Sequence, residues 1–227
     1  MAKTIVVCGF GPGISAAVAE KFGEQGYAVA LVARNVERLS AGVKALEARG
    51  VQAAAFTADL GSASAIQALI PEVRAKLGPI AVLHWNAYSL SAGDVLTADA
   101  AALQSVFDVA ITGLVTAVQA SLSDLKAAKG AILVTNGGLL FDDPAINEMA
   151  TKFNLMGLSM ANAAKHKLVS MLAAKLKGDG VYVGEVIVSG TVKGTAFDTG
   201  GGTLEAATVA QKFWNLFTAR TETSAKS

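Results

Sequence analysis

The densest chemical signal in the chain is Cys8-Gly9-Phe10-Gly11-Pro12-Gly13-Ile14-Ser15, in which three glycines alternate with single residues. Glycines at this spacing let a backbone turn tightly and approach a pyrophosphate, while a helix opening at Gly13 aims its free N–H groups and dipole at the phosphate charge. Gly9, Phe10, Gly13 and Ile14 are the expected contacts. Further on, Leu31-Val32-Ala33-Arg34-Asn35 puts a guanidinium, and no carboxylate, where a second strand should end. A carboxylate there would bond a ribose 2′-hydroxyl and repel a 2′-phosphate, so Arg34 points to NADP(H) rather than NAD(H).

Side chains able to move or hold a proton are few. Leu158, Ala161, Lys165, Leu168, Leu172 and Leu176 follow spacings of three and four, which sets Lys165 on an otherwise apolar helical stripe. Such a lysine either lays its stem along the core with its ammonium in water or serves a site. His84 sits inside an apolar run, where a histidine is usually satisfied by its surroundings, and His166 points about 100° away from Lys165 on a helix. Two histidines and one cysteine give no metal site. Asn136 closes a strand-like run, and Tyr88 follows Asn86-Ala87, where it can gate a site, donate a proton or simply fill space.

The elements that must carry these residues alternate along the chain. Short apolar runs at Thr4 to Cys8, Tyr27 to Val32, Val51 to Phe56, Ile80 to Trp85, Ala131 to Thr135 and Val181 to Val188 read as strands buried on both faces. Helical patterns lie near Gly13 to Gln25, Val36 to Arg49, Ser62 to Leu77, Asp99 to Lys126 and Asn154 to Lys177. Gly26, Gly50, Gly78-Pro79, Gly130 and Gly178-Asp179-Gly180 each end a helix before a strand. Strict alternation implies right-handed crossovers and an α/β fold of Rossmann type: a doubly wound parallel sheet, three layers, one domain over 1–227. Asp142-Asp143-Pro144 reads as an exposed loop.

Composition narrows the partners. The chain has 227 residues, 52% of them apolar, and 19 basic against 18 acidic side chains, with no basic stripe for nucleic acid. Mean hydropathy is +0.47, yet the uncharged run Val109 to Ser123 contains Thr112, Gly113, Thr116 and Gln119 and reads as a buried helix rather than a membrane span. The amino terminus enters a strand at Thr4 without a leader pattern, and Cys8 is the one cysteine, so a cytoplasmic protein without disulfides is expected. Small and apolar positions on the helices from Ala100 and Asn154 suggest faces for a homodimer or homotetramer.

Nearly the whole chain resembles the short-chain dehydrogenase/reductase family. The family's T-G-x-x-x-G-x-G motif is matched by Cys8 to Ser15 with its first and last positions changed, and its strand-two arginine by Arg34. Asp59-Leu60 resembles the adenine-side pair after strand three, Trp85-Asn86-Ala87-Tyr88 the N-N-A-G segment, and Ser189-Gly190-Thr191-Val192 the late P-G-x-V segment. The resemblance implies that Asp59, Leu60, Asn86, Ala87 and Val192 join the glycine loop around NADP, with a small carbonyl or alcohol as substrate.

The family's catalytic set is altered. Ala110 stands where its helix asparagine belongs, and Asn136 or Gly137 falls at its serine. The Y-x-x-x-K segment has three registers, with Lys165, Lys152 or Asn162 at the lysine; the first is preferred, and none supplies a tyrosine. Lys165 and Asn136 are therefore the expected catalytic residues. An oxidoreductase with an atypical proton relay, an NADP(H)-binding sensor or regulatory protein, and a structural oligomer that keeps only the fold all remain open.

Overall fold

The computed structural model describes residues 3–227, so the first two positions of the expected domain lie outside the described residues. Seven parallel strands form one sheet in the order β3-β2-β1-β4-β5-β6-β7. The strands are β1 Thr4–Cys8, β2 Ala28–Ala33, β3 Ala53–Thr57, β4 Ile80–Trp85, β5 Ala131–Gly137, β6 Tyr182–Val188 and β7 Ser224–Lys226. The helices are α1 Ile14–Glu24, α2 Val36–Glu47, α3 Ala63–Leu77, α4 Ala100–Phe107, α5 Gly113–Ala127, α6 Pro144–Lys152, α7 Met156–Leu176 and α8 Ala206–Ala219.

Alternation along each strand feeds two cores. Ile5 and Val7 of β1 face α1, α2 and α8, where Phe22, Leu39 and Phe213 are buried, while Val6 and Cys8 face α3, α5 and α7 through Ile70, Leu114 and Val169. Burying such side chains contributes roughly 1.5–3 kcal/mol each, which is why both faces must be covered. The expected three-layer Rossmann architecture is what the chain adopts.

Three elements differ from the reading above. Asp142 and Asp143 form the expected exposed loop, but it leads at once into a helix that the pattern did not mark, α6: Asp143 caps the N–H groups of Ala145 and Ile146, and Pro144 takes the first turn, where its missing N–H costs nothing. The strand β7 is three residues without a branched apolar side chain, and the helix before it, α8, buries Val209, Ala210, Phe213 and Leu216. The helical run Ala100–Ala127 spans 28 residues and is, by length and composition, long and apolar enough to cross a membrane. In the fold it is interrupted by a π-helical segment at Asp108–Thr112, and Leu114, Ala117, Val118 and Leu125 pack beneath the sheet.

Candidate functional site

The sheet order reverses between β1 and β4, and a crevice at the carboxyl ends of those strands is where a doubly wound sheet binds ligands. The glycine loop lies there. Gly9 has φ +85°, and a Cβ on it would stand 2.6 Å from the Ala87 backbone nitrogen. Gly13 has φ +89°, and its Cβ would stand 2.5 Å from Thr195 Cγ2. Both positions therefore demand glycine for conformation and for space. Gly13 is also the N-cap of α1 and offers no side chain, so the opening N–H groups of the helix, beginning at Ile14, have no side-chain acceptor. Ser15 Oγ closes the loop by accepting from Gly11 N at 2.9 Å and donating to Gly11 O at 3.0 Å.

Other expected contacts play mainly supporting parts. The N–H groups of Gly9 and Phe10 both donate to Val32 O, and the Phe10 ring packs against Gly42 of α2. Asn86 Nδ2 donates to Gly9 O at 3.3 Å, holding the end of β4 to the loop. Asp59 is exposed and accepts from Gly61 N through one oxygen at 3.0 Å, while Leu60 is buried beneath it. Val192 is buried among the apolar side chains facing α8, so its backbone is what it offers the crevice.

Two cations flank the loop. Arg34 is exposed just past β2, and Arg38, which the sequence reading passed over, sits with Nη1 3.7 Å from where a Cβ of Gly11 would be. Among the described residues neither pairs with a carboxylate. One helical turn separates them in sequence, and the cap of that helix, Asn35, accepts from Arg38 N.

The end of β5 and the middle of β6 carry a different arrangement. Asn136 is 2% exposed; its Nδ2 donates to Glu185 Oε2 at 2.9 Å and to Asn162 O at 3.1 Å, and its Oδ1 accepts from Gly137 N at 3.1 Å. Every hydrogen-bonding position of that amide except one lone pair is thus engaged inside the protein. Glu185 is fully buried, accepts from Ser224 Oγ at 2.7 Å and is in contact with Nδ1 of the half-exposed His166. A carboxylate interrupting the apolar strand Val181 to Val188 was a visible signal that a buried partner must exist. Lys165 is 3% exposed. Burial pulls its ammonium down from the usual 10.5 to about 8, with the Glu185 charge acting the other way.

Of the three candidate register positions, Asn162 meets the end of β5: its Nδ2 lies 2.8 Å from where a Cβ of Gly137 would be. Lys165 is grouped with Glu185, and Lys152, on α6, is exposed with its ammonium over the Phe153 ring. His84 is sealed in the sheet, its Nε2 3.1 Å from Thr135 Oγ1, and burial drives its pKa down to about 3, which keeps it neutral.

The short chain dehydrogenase family model matches residues 3–199. The chain belongs to this family. A 3-oxoacyl-(acyl-carrier-protein) reductase of Staphylococcus aureus is 29% identical over 167 residues, 72% of this chain and 68% of that protein. The 2-(S)-hydroxypropyl-CoM dehydrogenase 3 of Xanthobacter autotrophicus is 31% identical over 194 residues, 85% of this chain and 72% of that one. A short chain dehydrogenase from Burkholderia cenocepacia, solved in complex with NADP, is similar in fold with a TM-score of 0.85 at 22% identity, over 99% of this chain and 95% of that one.

Against the short-chain pattern, the positions of the tyrosines matter. Of the three in the chain, Tyr27 precedes β2 and Tyr182 begins β6, both on the amino edge of the sheet, away from the crevice. Tyr88 alone follows a strand end. Its ring lies 5.5 Å from that of Phe197, and burial raises its pKa with Arg38 opposing. The helix asparagine position, Ala110, sits in the π-helical segment and packs with Ala161 of α7.

Proposed function

We propose that the protein is an NADP(H)-dependent oxidoreductase acting on a small carbonyl or alcohol, with a site that lacks the family's tyrosine. The supporting observation is the pairing of an uncapped helix N-terminus with two unpaired cations, Arg34 and Arg38, on either side of a glycine cradle. The cradle fits a pyrophosphate because Gly9 and Gly13 leave room for backbone alone, and the guanidinium of Arg34 fits a 2′-phosphate. In this reading Gly9, Phe10, Gly13, Ile14, Arg34, Asp59, Leu60, Asn86, Ala87 and Val192 line the dinucleotide, several of them by backbone. Bound there, the nicotinamide ring supplies or accepts a hydride.

Relatives are named as a reductase and a dehydrogenase, and the Burkholderia structure holds NADP, which supports the same cofactor and reaction class here. We read the chain as a single-domain, cytoplasmic protein that assembles as a homodimer or homotetramer. Titration with NADPH and NADH should show tighter binding of NADPH; equal affinities would overturn the cofactor assignment.

The internal engagement of Asn136 favours a second reading, a non-catalytic NADP(H)-binding sensor. NADPH oxidation over a panel of aldehydes, ketones, quinones and enones separates the two. Saturable turnover supports the enzyme, and tight NADPH binding without turnover supports the sensor.

A further inference from the structure

Gly137 is extended backbone, φ −113° and ψ 153°, a conformation open to any residue. A side chain there would meet only one close neighbour, the amide end of Asn162, whose Nδ2 lies 2.8 Å from the would-be Cβ and would have to give way. Asn162 is 4% exposed, and its backbone carbonyl is held by Asn136 Nδ2. Its side-chain amide, however, has no partner among the described residues. It is also not sealed off: the sealed, unpartnered side-chain atoms are His84 Nδ1 and Trp85 Nε1. A buried amide without a protein partner, set beside the carboxyl end of a strand, is a hydrogen-bonding group left for a ligand.

We propose that Asn162 is a catalytic residue whose Nδ2–H donates to the substrate carbonyl oxygen, delivering from α7 the polar group that the family delivers from the strand at position 137. This rests on the oxidoreductase reading above. In the reducing direction a bound reduced nicotinamide dinucleotide would supply the hydride and be oxidised, the carbonyl carbon gaining a C–H bond while the C=O π pair moves onto oxygen. The Asn162 amide holds that oxyanion, which takes a proton from water to give the alcohol. Asn136 acts through Asn162 as a positioning residue, because its Nδ2 fixes the turn of α7 that carries the amide.

The test uses the full chain with Asn162→Ala, the isosteric Asn162→Asp, Gly137→Ser and the double variant Gly137→Ser/Asn162→Ala. Over a panel of aldehydes and ketones, both Asn162 variants should lose about 10²-fold in turnover while NADPH binding changes by less than about twofold. The double variant should recover part of that loss, since a serine hydroxyl re-enters the vacated volume. Thermal melts give a readout free of turnover. Gly137→Ser should lower the midpoint in the native background and much less in the Asn162→Ala background, the non-additivity expected of two groups competing for one space. Unchanged turnover in both Asn162 variants would overturn the proposal with the cofactor reading intact. A native protein that binds NADPH but reduces nothing in the panel would overturn the oxidoreductase reading and this proposal together.

Discussion

Gly9 and Gly13, beside β1, and Asn136 and Glu185, on β5 and β6, stand at the same side of one sheet but are held in different ways. The first pair shapes a surface from backbone: its constraints are two positive φ angles and two spaces too small for a Cβ. The second pair is two buried side chains, Asn136 and Glu185, tied to each other and to the partly exposed Ser224 and His166. A backbone cradle accepts many side chains around it and fails at its glycines. In a buried network the loss of any one member leaves the others unsatisfied, and such groups cost about 1–3 kcal/mol each. The cofactor half can therefore keep its pattern while the reactive half is rebuilt.

The largest effect should come from the cradle. In Gly9→Ala the new Cβ would lie 2.6 Å from Ala87 N and 2.8 Å from Ala87 Cα, both backbone atoms that cannot swing aside. Strain at positive φ and overpacking together should destabilise the fold by about 3–5 kcal/mol. Urea unfolding measures this, and a loss under about 1 kcal/mol would mean that the crevice is softer than a preformed cradle.

Lys165 gives the next largest effect and probes the other half. In the folded chain it loses its proton near pH 8 instead of 10.5. Between those values the unfolded chain binds the extra proton, so stability rises with pH through the window, and below about pH 8 the full penalty applies. Lys165→Met should accordingly stabilise the protein at pH 7 by up to about 3 kcal/mol, with the gain shrinking toward zero near pH 10.5. Melts of both proteins across that range check it. A gain independent of pH would show that the ammonium is not desolvated, and a loss at pH 7 would make Lys165 a net stabilising partner of Glu185.

The contrast between the halves also explains what the sequence could show. A glycine loop, a strand-end arginine and alternating apolar runs are local patterns, each set by the residue's own neighbours in the chain, so β1 to β6 and the glycine loop at the end of β1 were legible. Which residue of α7 meets β5 depends on how far the chain travels through α6 before α7 begins, and of that stretch only the loop at Asp142-Asp143-Pro144 was legible. The preferred register puts Lys165 at the lysine position; in the fold Lys165 is buried near Glu185, and Asn162 lies beside Gly137 at the end of β5. Glu185 itself lies 49 residues from Asn136 and 19 from His166, a separation no periodicity reports. Arg38 was missed for a simpler reason: an exposed arginine in a helix carries no signal until the loop beside it is in place.

Arg34→Ala should produce a smaller, selective change. A charge-assisted bond to a 2′-phosphate contributes about 1.5–3 kcal/mol, so NADPH affinity should fall roughly 10- to 100-fold while NADH affinity holds. Arg38→Ala, beside Gly11, tests whether the phosphate is shared between two guanidiniums. A loss with Arg38→Ala alone would move the 2′-phosphate toward the glycine loop.

The smallest effect belongs to Asp59, at the adenine end of the same crevice. One carboxylate oxygen is already held by Gly61 N, which shapes the turn into α3, and the other is free to accept from an exocyclic amine. Asp59→Asn keeps an oxygen for that turn while removing the charge and half of the acceptor capacity. Because NADPH and NADH share the adenine, both should weaken alike, by about 3- to 10-fold, the worth of one hydrogen bond near the surface. Fluorescence titrations of the two cofactors, run beside a melt to confirm that the turn survives, give the comparison directly. An effect confined to NADPH would show that Asp59 acts at the 2′-phosphate end of the crevice and not at the adenine. No effect on either would leave the adenine held by Leu60 and apolar contact alone, making this half of the site more fully a surface of backbone and shape than its arginines suggest.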